Sequence, residues 1–393
     1  MKKTALKLRR GGLSVKGNSI FKSLDLTLEE GGVLLITGPS GSGKSSFFRM
    51  LLGLACEDEG WESSGELFLS SRPGWVSQNP TWDLMGNWVK EEAGMKELQM
   101  LGAGDLYERR CTELSHGEKT ITALAGAFSK DILLLDEPGV CLSKENRSAL
   151  DSLLKKTGKT ALIIDHTPEF LDTADRFLSF DRDPPSEVSR EEAAGYLERI
   201  PDYCRPEPEG TGLLEVRGDL ELSLPGGSCV GVSGDNGSGK TSLLASIAGV
   251  SSAADIKCSW MGRPLRGIRK RRGIVSYVPQ EPGRFFLART AGEQAGAWGI
   301  PEDILTRFGL SGGMDRPVET LSAGEKQRLA IAGAFSAPVM VLDEPTYGLD
   351  AASMEILFEG VREKCSGGGI VFISSHDRRI LERLATCGVN LVA

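Results

Sequence analysis

At 393 residues the chain exceeds what one hydrophobic core fills, since single cores stop growing near roughly 250–300 residues, so two domains are expected. Apolar residues make up 40% and charged residues 25%, the values of an ordinary soluble globular protein. A net charge of −8 argues against a generally basic nucleic-acid surface, without excluding a local basic groove.

Eight cysteines, at 56, 111, 141, 204, 229, 258, 365 and 387, form no Cys-x-x-Cys pair. They read as free thiols in a reducing cytosol rather than a disulfide framework, zinc site or iron–sulfur site. Met1-Lys2-Lys3 resembles the start of a signal sequence, but Lys7, Arg9 and Arg10 interrupt any apolar core. No run approaches the ~20 apolar residues of a membrane span.

In chain order, Gly32 to Thr37 is a short apolar run that reads as a buried parallel strand. Gly38-Pro39-Ser40-Gly41-Ser42-Gly43-Lys44-Ser45, with Ser46 behind it, then matches G-x-x-x-x-G-K-[ST] and leads into a helical pattern over Phe47 to Leu54. Strand, loop and helix are the context this phosphate-binding motif requires. Its glycines let backbone N–H groups point at phosphate oxygens, Lys44 would reach the β- and γ-phosphates, and Ser45 would ligate Mg²⁺. Trp75-Val76-Ser77-Gln78-Asn79-Pro80 is a strand end before a proline-punctuated loop. Leu114-Ser115-His116-Gly117-Glu118-Lys119 is a turn entering a helix. Ile132 to Asp136, followed by Glu137, is a buried strand ending in two acids, of which alternation lets only one face a metal. Ala161 to Asp165 is a third strand with His166 at its carboxyl end, where open parallel sheets gather their ligand groups.

Pro184, Pro185, Pro201, Pro206 and Pro208 then punctuate a stretch that contains one helix-like run, Arg190 to Arg199. It reads as an ordered linker, giving domains over 1–182 and 212–393 joined by 183–211. The second half repeats the first. Its strand Cys229 to Ser233 precedes Gly234-Asp235-Asn236-Gly237-Ser238-Gly239-Lys240-Thr241, with Ser242 behind it. Gln280, Ser322, Gly324, Asp343, Glu344 and His376 follow in the order of their first-half counterparts. Leu114–Ser129 and Leu321–Ser336 are identical at 11 of 16 positions, and the offsets are steady at 240 − 44 = 196, 343 − 136 = 207 and 376 − 166 = 210. The chain is a tandem duplication.

Five motifs in this order, twice, resemble the nucleotide-binding domains of ATP-binding-cassette (ABC) proteins. The Leu-Ser-x-Gly-Glu signature 21 residues before the acid (136 − 115 and 343 − 322) narrows the likeness to that family. The resemblance implies two α/β P-loop domains, each a core sheet with a helical subdomain, packed head to tail around two ATP molecules and Mg²⁺. One composite site would join Lys44, Ser45, Gln78, Asp136, Glu137 and His166 to Ser322 and Gly324. The other would join Lys240, Thr241, Gln280, Asp343, Glu344 and His376 to Ser115 and Gly117. The family's roles put Asp136 and Asp343 at the metal through water, Glu137 and Glu344 at the attacking water, and the histidines at the γ-phosphate. Gln78 and Gln280 serve both the metal and the water.

Half one departs from the pattern, with His116 inside its signature, Ile121 opposite Arg328, and Ser143 at the interfacial position of Asp350. The Lys240 site is therefore expected to receive the weaker contribution from across the interface. Val15 sits near the place of the family's adenine-stacking aromatic, and half two, running directly from Leu214 through Leu220 to its loop, is expected to lack the hairpin that carries one. ATP over GTP is inherited from the family.

The stretches after the two glutamines, Thr81-Trp82-Asp83-Leu84 and Gly283-Arg284-Phe285-Phe286, look similar to the ATPases of energy-coupling-factor importers of vitamins or metal ions. This implies separate integral-membrane coupling and substrate-binding subunits, and a cytoplasmic place on the inner face of the cell membrane. The rival class is a soluble tandem cassette acting on ribosomes or nucleic acid. The long charged linker pair, cysteine cluster and zinc modules of those relatives are absent from the sequence. If the two sites are unequal as expected, Glu137→Gln should cost more of the steady-state ATPase rate than Glu344→Gln; equal losses would sink the inequality.

Overall fold

Alternating and continuous apolar runs divide the strands into two kinds, and the computed structural model follows that division. It describes residues 3–39, 41–55, 60–78, 80–139, 142, 144–198, 208, 210–234, 237–346 and 349–391. The chain forms two units, Met1–Arg199 and Ile200–Ala393.

In the first unit, β1 (Thr4–Val15) and β2 (Asn18–Glu29) make a long antiparallel hairpin. Leu24, Leu26 and Leu28 of β2 are buried while the residues between them are exposed, the signature of a half-buried sheet. β3 (Val33–Thr37) is buried at every position. β4 (Trp61–Leu69) returns to pair with β1, completing a three-stranded sheet in the order β2-β1-β4. β5 (Gly74–Val76), β6 (Ile132–Asp136), β7 (Thr160–Ile164), β8 (Arg176–Ser179) and β9 (Ser186–Val188) join β3 in the order β5-β6-β7-β3-β8-β9. All neighbours in it are parallel except β8 and β9.

Phe47 and Phe48 of the helix Lys44–Leu51 are fully buried between the two sheets, with Phe47 edge-on to Phe21 at 5.9 Å. Each such ring is worth roughly 1.5–3 kcal/mol of burial. This packing anchors the helix whose first residue is Lys44.

The second unit repeats the plan with shorter outer strands. β10 (Gly210–Gly218), β11 (Leu222–Gly226), β13 (Ile256–Trp260) and β14 (Arg263–Pro264) form the antiparallel sheet. β12 (Cys229–Gly234), β15 (Val275–Val278), β16 (Val339–Leu342), β17 (Ile370–Ser374) and β18 (Cys387–Leu391) form the parallel one, ordered β15-β16-β17-β12-β18. Among the described residues no helix is long and apolar enough to cross a membrane, and Cys111, Cys229, Cys258, Cys365 and Cys387 are free thiols.

Two expectations need correcting. The second half does have a hairpin before its phosphate loop, because Leu214 and Val216 of β10 pair with Leu224 and Leu222 of β11. At nine and five residues against twelve and twelve, it is short enough to look like a direct run. The stretch 183–211 is not uniformly linker either. β9 adds to the edge of the first unit's sheet, and the helix Arg190–Leu197, capped by Ser189 and Glu192, buries Ala193 and Leu197 in that unit's core. Proline punctuation marked the turns around these elements but hid the two apolar side chains that dock them. Leu197→Ala should therefore destabilise the first unit by about 2–3 kcal/mol in chemical denaturation, where a true linker residue would cost under ~0.5 kcal/mol.

Candidate nucleotide sites

Each phosphate loop starts where a buried central strand ends and closes on a glycine in left-handed backbone. Gly43 (φ 98°) caps the helix Lys44–Leu51, and Gly239 (φ 93°) caps the helix Lys240–Ala248. A side chain at Gly43 would also collide with Ile20. Ile20 of β2 is thus the hairpin side chain lying over this loop, while Val15 ends β1. Lys44 is buried, and its Nζ donates to the carbonyls of Gly38 and Pro39 at 2.7 Å each. Lys240 is likewise buried and donates to Gly234 at 2.7 Å. The loops thereby hold a buried cation at the positive end of a helix.

Ser42 Oγ and Ser238 Oγ occupy equivalent places and are buried without a hydrogen-bond partner among the described residues. These two orphaned hydroxyls, beside a buried ammonium and a helix N-terminus, fit the phosphates of a nucleotide. Gly41, Ser46, Gly237 and Ser242 lie in the same loops and first turns. Ser40, Asp235 and Asn236 lie outside the described residues.

The two acids of each half follow the central strand directly. Asp136 ends β6, and Glu137 comes next with φ 53°; Asp343 follows β16, and Glu344 comes next with φ 49°. Strand alternation therefore does not separate the paired acids. A left-handed residue turns the chain at the glutamate, a costly conformation for a side chain of this size.

In the first unit Glu137 is 7% exposed and takes a hydrogen bond from Gln78 Nε2, with His166 Nε2 at 3.4 Å from the same oxygen. Burial raises the Glu137 pKa, but the hydrogen bond and charge of His166, then Lys44 and Gln78, outweigh it and leave the carboxyl below its usual range. Asp136 behaves in the opposite way. Burial, then the neighbouring Glu137 charge, push it up from 3.8 to about 7 against the Ser45 hydrogen bond and Lys44. Its Oδ1 has no hydrogen-bond partner among the described residues. A buried carboxylate with a spare oxygen beside the Ser45 hydroxyl fits Mg²⁺, which these two groups would hold and which would supply positive charge to the phosphates. Gln78, Asp136, Glu137 and His166 are thus brought together with Lys44 and Ser45.

The second unit brings its histidine to the glutamate and supports the aspartate by other groups. His376 Nε2 lies 3.3 Å from Glu344 Oε1, and His376 N–H donates to Glu344 Oε2 at 3.1 Å. The His376 side chain is 38% exposed against 7% for His166. Asp343 accepts from Ser374 Oγ at 2.8 Å and from Tyr277 Oη at 3.2 Å. Burial and the Asp343 charge raise the Tyr277 hydroxyl well above its ordinary range, so it stays a donor. Thr241 opens the helix beside Lys240, and Gln280 lies two residues past β15.

Both signatures are helix N-termini. Ser115 caps the helix His116–Ala127 and Ser322 caps Ala323–Ala334, each through a reciprocal box with Glu118 or Glu325. Gly117 and Gly324 fall in the first turns. Sequence reasoning missed the arginines that pin these glutamates: Arg109 Nη1 to Glu118 Oε1 at 2.6 Å and Arg316 Nη1 to Glu325 Oε1 at 2.7 Å. Their signal was available, since each lies six residues before the capping serine (115 − 109 and 322 − 316). Arg328 donates to Ser353, whereas Ile121 at its place is buried in the first unit's core. Asp350 caps the helix Ala351–Ser366 by accepting from Ser353 N at 2.8 Å. Ser143 and the His116 side chain lie outside the described residues.

Comparison with known proteins agrees with this geometry. The family model described as "ABC transporter" matches residues 21–140 and 218–347. The chain belongs to the ABC transporter family. Its two P-loop domains are ATPase domains of that family.

A "Putative ABC transporter ATP-binding protein" of Treponema denticola is 27% identical over 459 aligned positions, covering 96% of this chain and 94% of that protein. The "Putative HMP/thiamine import ATP-binding protein YkoD" of Bacillus subtilis is 26% identical, covering 93% and 85%. Among solved structures, a model of ribosome-bound archaeal Pelota and ABCE1 matches with a TM-score of 0.67 at 19% identity, covering 95% of this chain and 75% of the other. That likeness shows the fold.

The Asp136 environment sets a pH dependence. Its proton is held in the folded state up to about 7 but released near 3.8 in the unfolded chain. The stability it contributes is therefore full below 3.8 and lost as pH rises through 7. Asp136→Asn should raise the melting temperature of nucleotide-free protein more at pH 8 than at pH 5. Equal shifts at both values would point to another cause.

Proposed function

We propose that the chain is the ATP-hydrolysing subunit of an ABC importer, coupling ATP turnover at two composite sites to solute uptake through separate membrane subunits. The observation that carries this reading is a repeated exposed side chain. Met85 and Leu287 each lie seven residues past the glutamine (85 − 78 and 287 − 280) and are 92% and 94% exposed, with Phe285 at 60%. An aliphatic side chain left almost wholly in water at the same register of both halves suits burial against the helices of an integral-membrane partner. The name of the Bacillus subtilis relative, "Putative HMP/thiamine import ATP-binding protein YkoD", supports uptake of a vitamin; the energy-coupling-factor type, with a metal ion as the other candidate solute, rests on the stretches after Gln78 and Gln280. In that reading the protein sits at the inner face of the cell membrane.

Within each site the chain's own residues divide the work. Lys44 and Lys240 would bind the β- and γ-phosphates, and Ser45 with Asp136, and Thr241 with Asp343, would hold Mg²⁺. Glu137 and Glu344 orient and accept a proton from the attacking water, with Gln78 and Gln280 placing it. His166 and His376 donate to the γ-phosphate as charge develops, where one positioned donor is worth roughly 2.7–4 kcal/mol. Ser322 and Gly324 complete the Lys44 site, and Ser115 and Gly117 the Lys240 site, so the Lys44 site receives the unaltered signature.

One observation favours action on ribosomes or nucleic acid instead. Arg263, Arg266, Arg269, Lys270 and Arg272 are all exposed in a chain of net charge −8. The exposed apolar pair favours the transport reading. A pull-down from detergent-solubilised membranes should recover small integral-membrane proteins, and Met85→Asp with Leu287→Asp should abolish that recovery while ATP binding persists. Sedimentation with ribosomes, unaffected by those changes, would overturn the transport reading.

A further inference from the structure

The two halves hold their metal-side aspartates by different means. In the second unit Ser374 Oγ donates to Asp343 Oδ1 at 2.8 Å and accepts the Glu344 N–H at 2.8 Å, so one buried hydroxyl ties both acids together. Tyr277 Oη donates to the other aspartate oxygen at 3.2 Å. Ser374 is fully buried in the last position of β17, and Tyr277 stands on β15 beside Val341 of β16.

The equivalent places in the first unit are Ile164 (374 − 210) and Trp75 (277 − 202), the latter beside Leu134 of β6 in the same register. Neither can give the aspartate a hydroxyl. Glu137 N–H there donates to the Ile164 carbonyl at 2.8 Å, and Asp136 Oδ1 keeps no partner among the described residues. One half thus fixes both oxygens of its aspartate before any ligand arrives, and the other leaves an oxygen unheld.

We propose that Ser374 and Tyr277 are positioning residues that preorganise Asp343 for the divalent cation of the Lys240 site, and that the Lys44 site binds its cation more weakly because Ile164 and Trp75 replace them. Hydrogen bonds to a carboxylate ligand fix its orientation, and their loss generally lowers metal affinity. The duplication supplies the control, because the same strand ends carry the two arrangements in one chain. This inference rests on the nucleotide-site reading above and concerns cation affinity rather than turnover.

The test uses full-length protein. With Lys44→Ala to restrict nucleotide to the Lys240 site, Mn²⁺ is titrated in the presence of the β,γ-imido analogue of ATP and followed by its EPR signal. Ser374→Ala and Tyr277→Phe should each weaken Mn²⁺ about tenfold, with Ser374→Thr restoring most of the loss. In the reciprocal Lys240→Ala background, Ile164→Ser combined with Trp75→Tyr should tighten Mn²⁺ at the Lys44 site. If Ser374→Ala does not fold, Tyr277→Phe and the reciprocal graft decide. Unchanged Mn²⁺ affinity in Tyr277→Phe and in the graft overturns the proposal while nucleotide binding stands. Failure of the unsubstituted sites to bind Mn²⁺ with the analogue overturns the nucleotide-site reading, and the proposal with it.

Discussion

Two carboxylates buried side by side at the end of a parallel strand are the constraint around which each half is arranged. Placing Asp136 and Glu137, or Asp343 and Glu344, under 8% exposure is unfavourable for charge unless donors or cations gather around them. The lysine from the adjoining loop, the histidine from the next strand and the left-handed turn at the glutamate all answer that demand. Removing the phosphate loop from this setting would leave a commonplace glycine turn.

The two units meet the constraint unequally. In the first, His166 is enclosed against Glu137 and Gln78 also reaches that oxygen, so the glutamate is well held and the aspartate is not. In the second, the aspartate is well held, while His376 leans on Glu344 from a more open position. The two halves therefore differ chiefly in how the aspartate is held. The difference arises from a few side chains on strands whose backbone register is otherwise the same.

Much of this was legible in the sequence because the motifs demand particular backbone contexts. Continuous apolar runs such as Leu133–Leu135 and Val371–Ile373, bounded by turn signals, read as central strands, and Gly43-Lys44 reads as the opening of a helix after one of them. What stayed hidden depends on tertiary packing. Nothing local in Arg190–Leu197 announces that Ala193 and Leu197 face the first core, since eight residues carry too weak a periodicity. The φ values of Glu137 and Glu344 were equally invisible, because glutamate rarely adopts that region and only the surrounding bonds enforce it. Tyr277 and Ser374 read as ordinary strand residues until their hydroxyls are seen converging on Asp343.

The proposed head-to-tail pairing adds a second layer to this inequality. The Lys44 site would draw on Ser322 and Gly324 from the unaltered signature, yet its own aspartate is the less supported one. The Lys240 site would have the better-held aspartate and face the signature that carries His116. Support from within a half and support from across the pair would thus be crossed, each site strong in one and weak in the other. Cation binding depends chiefly on groups within the half, whereas completing the γ-phosphate environment depends on the partner signature. The site that binds Mg²⁺–nucleotide more tightly would then be distinct from the site that turns it over faster.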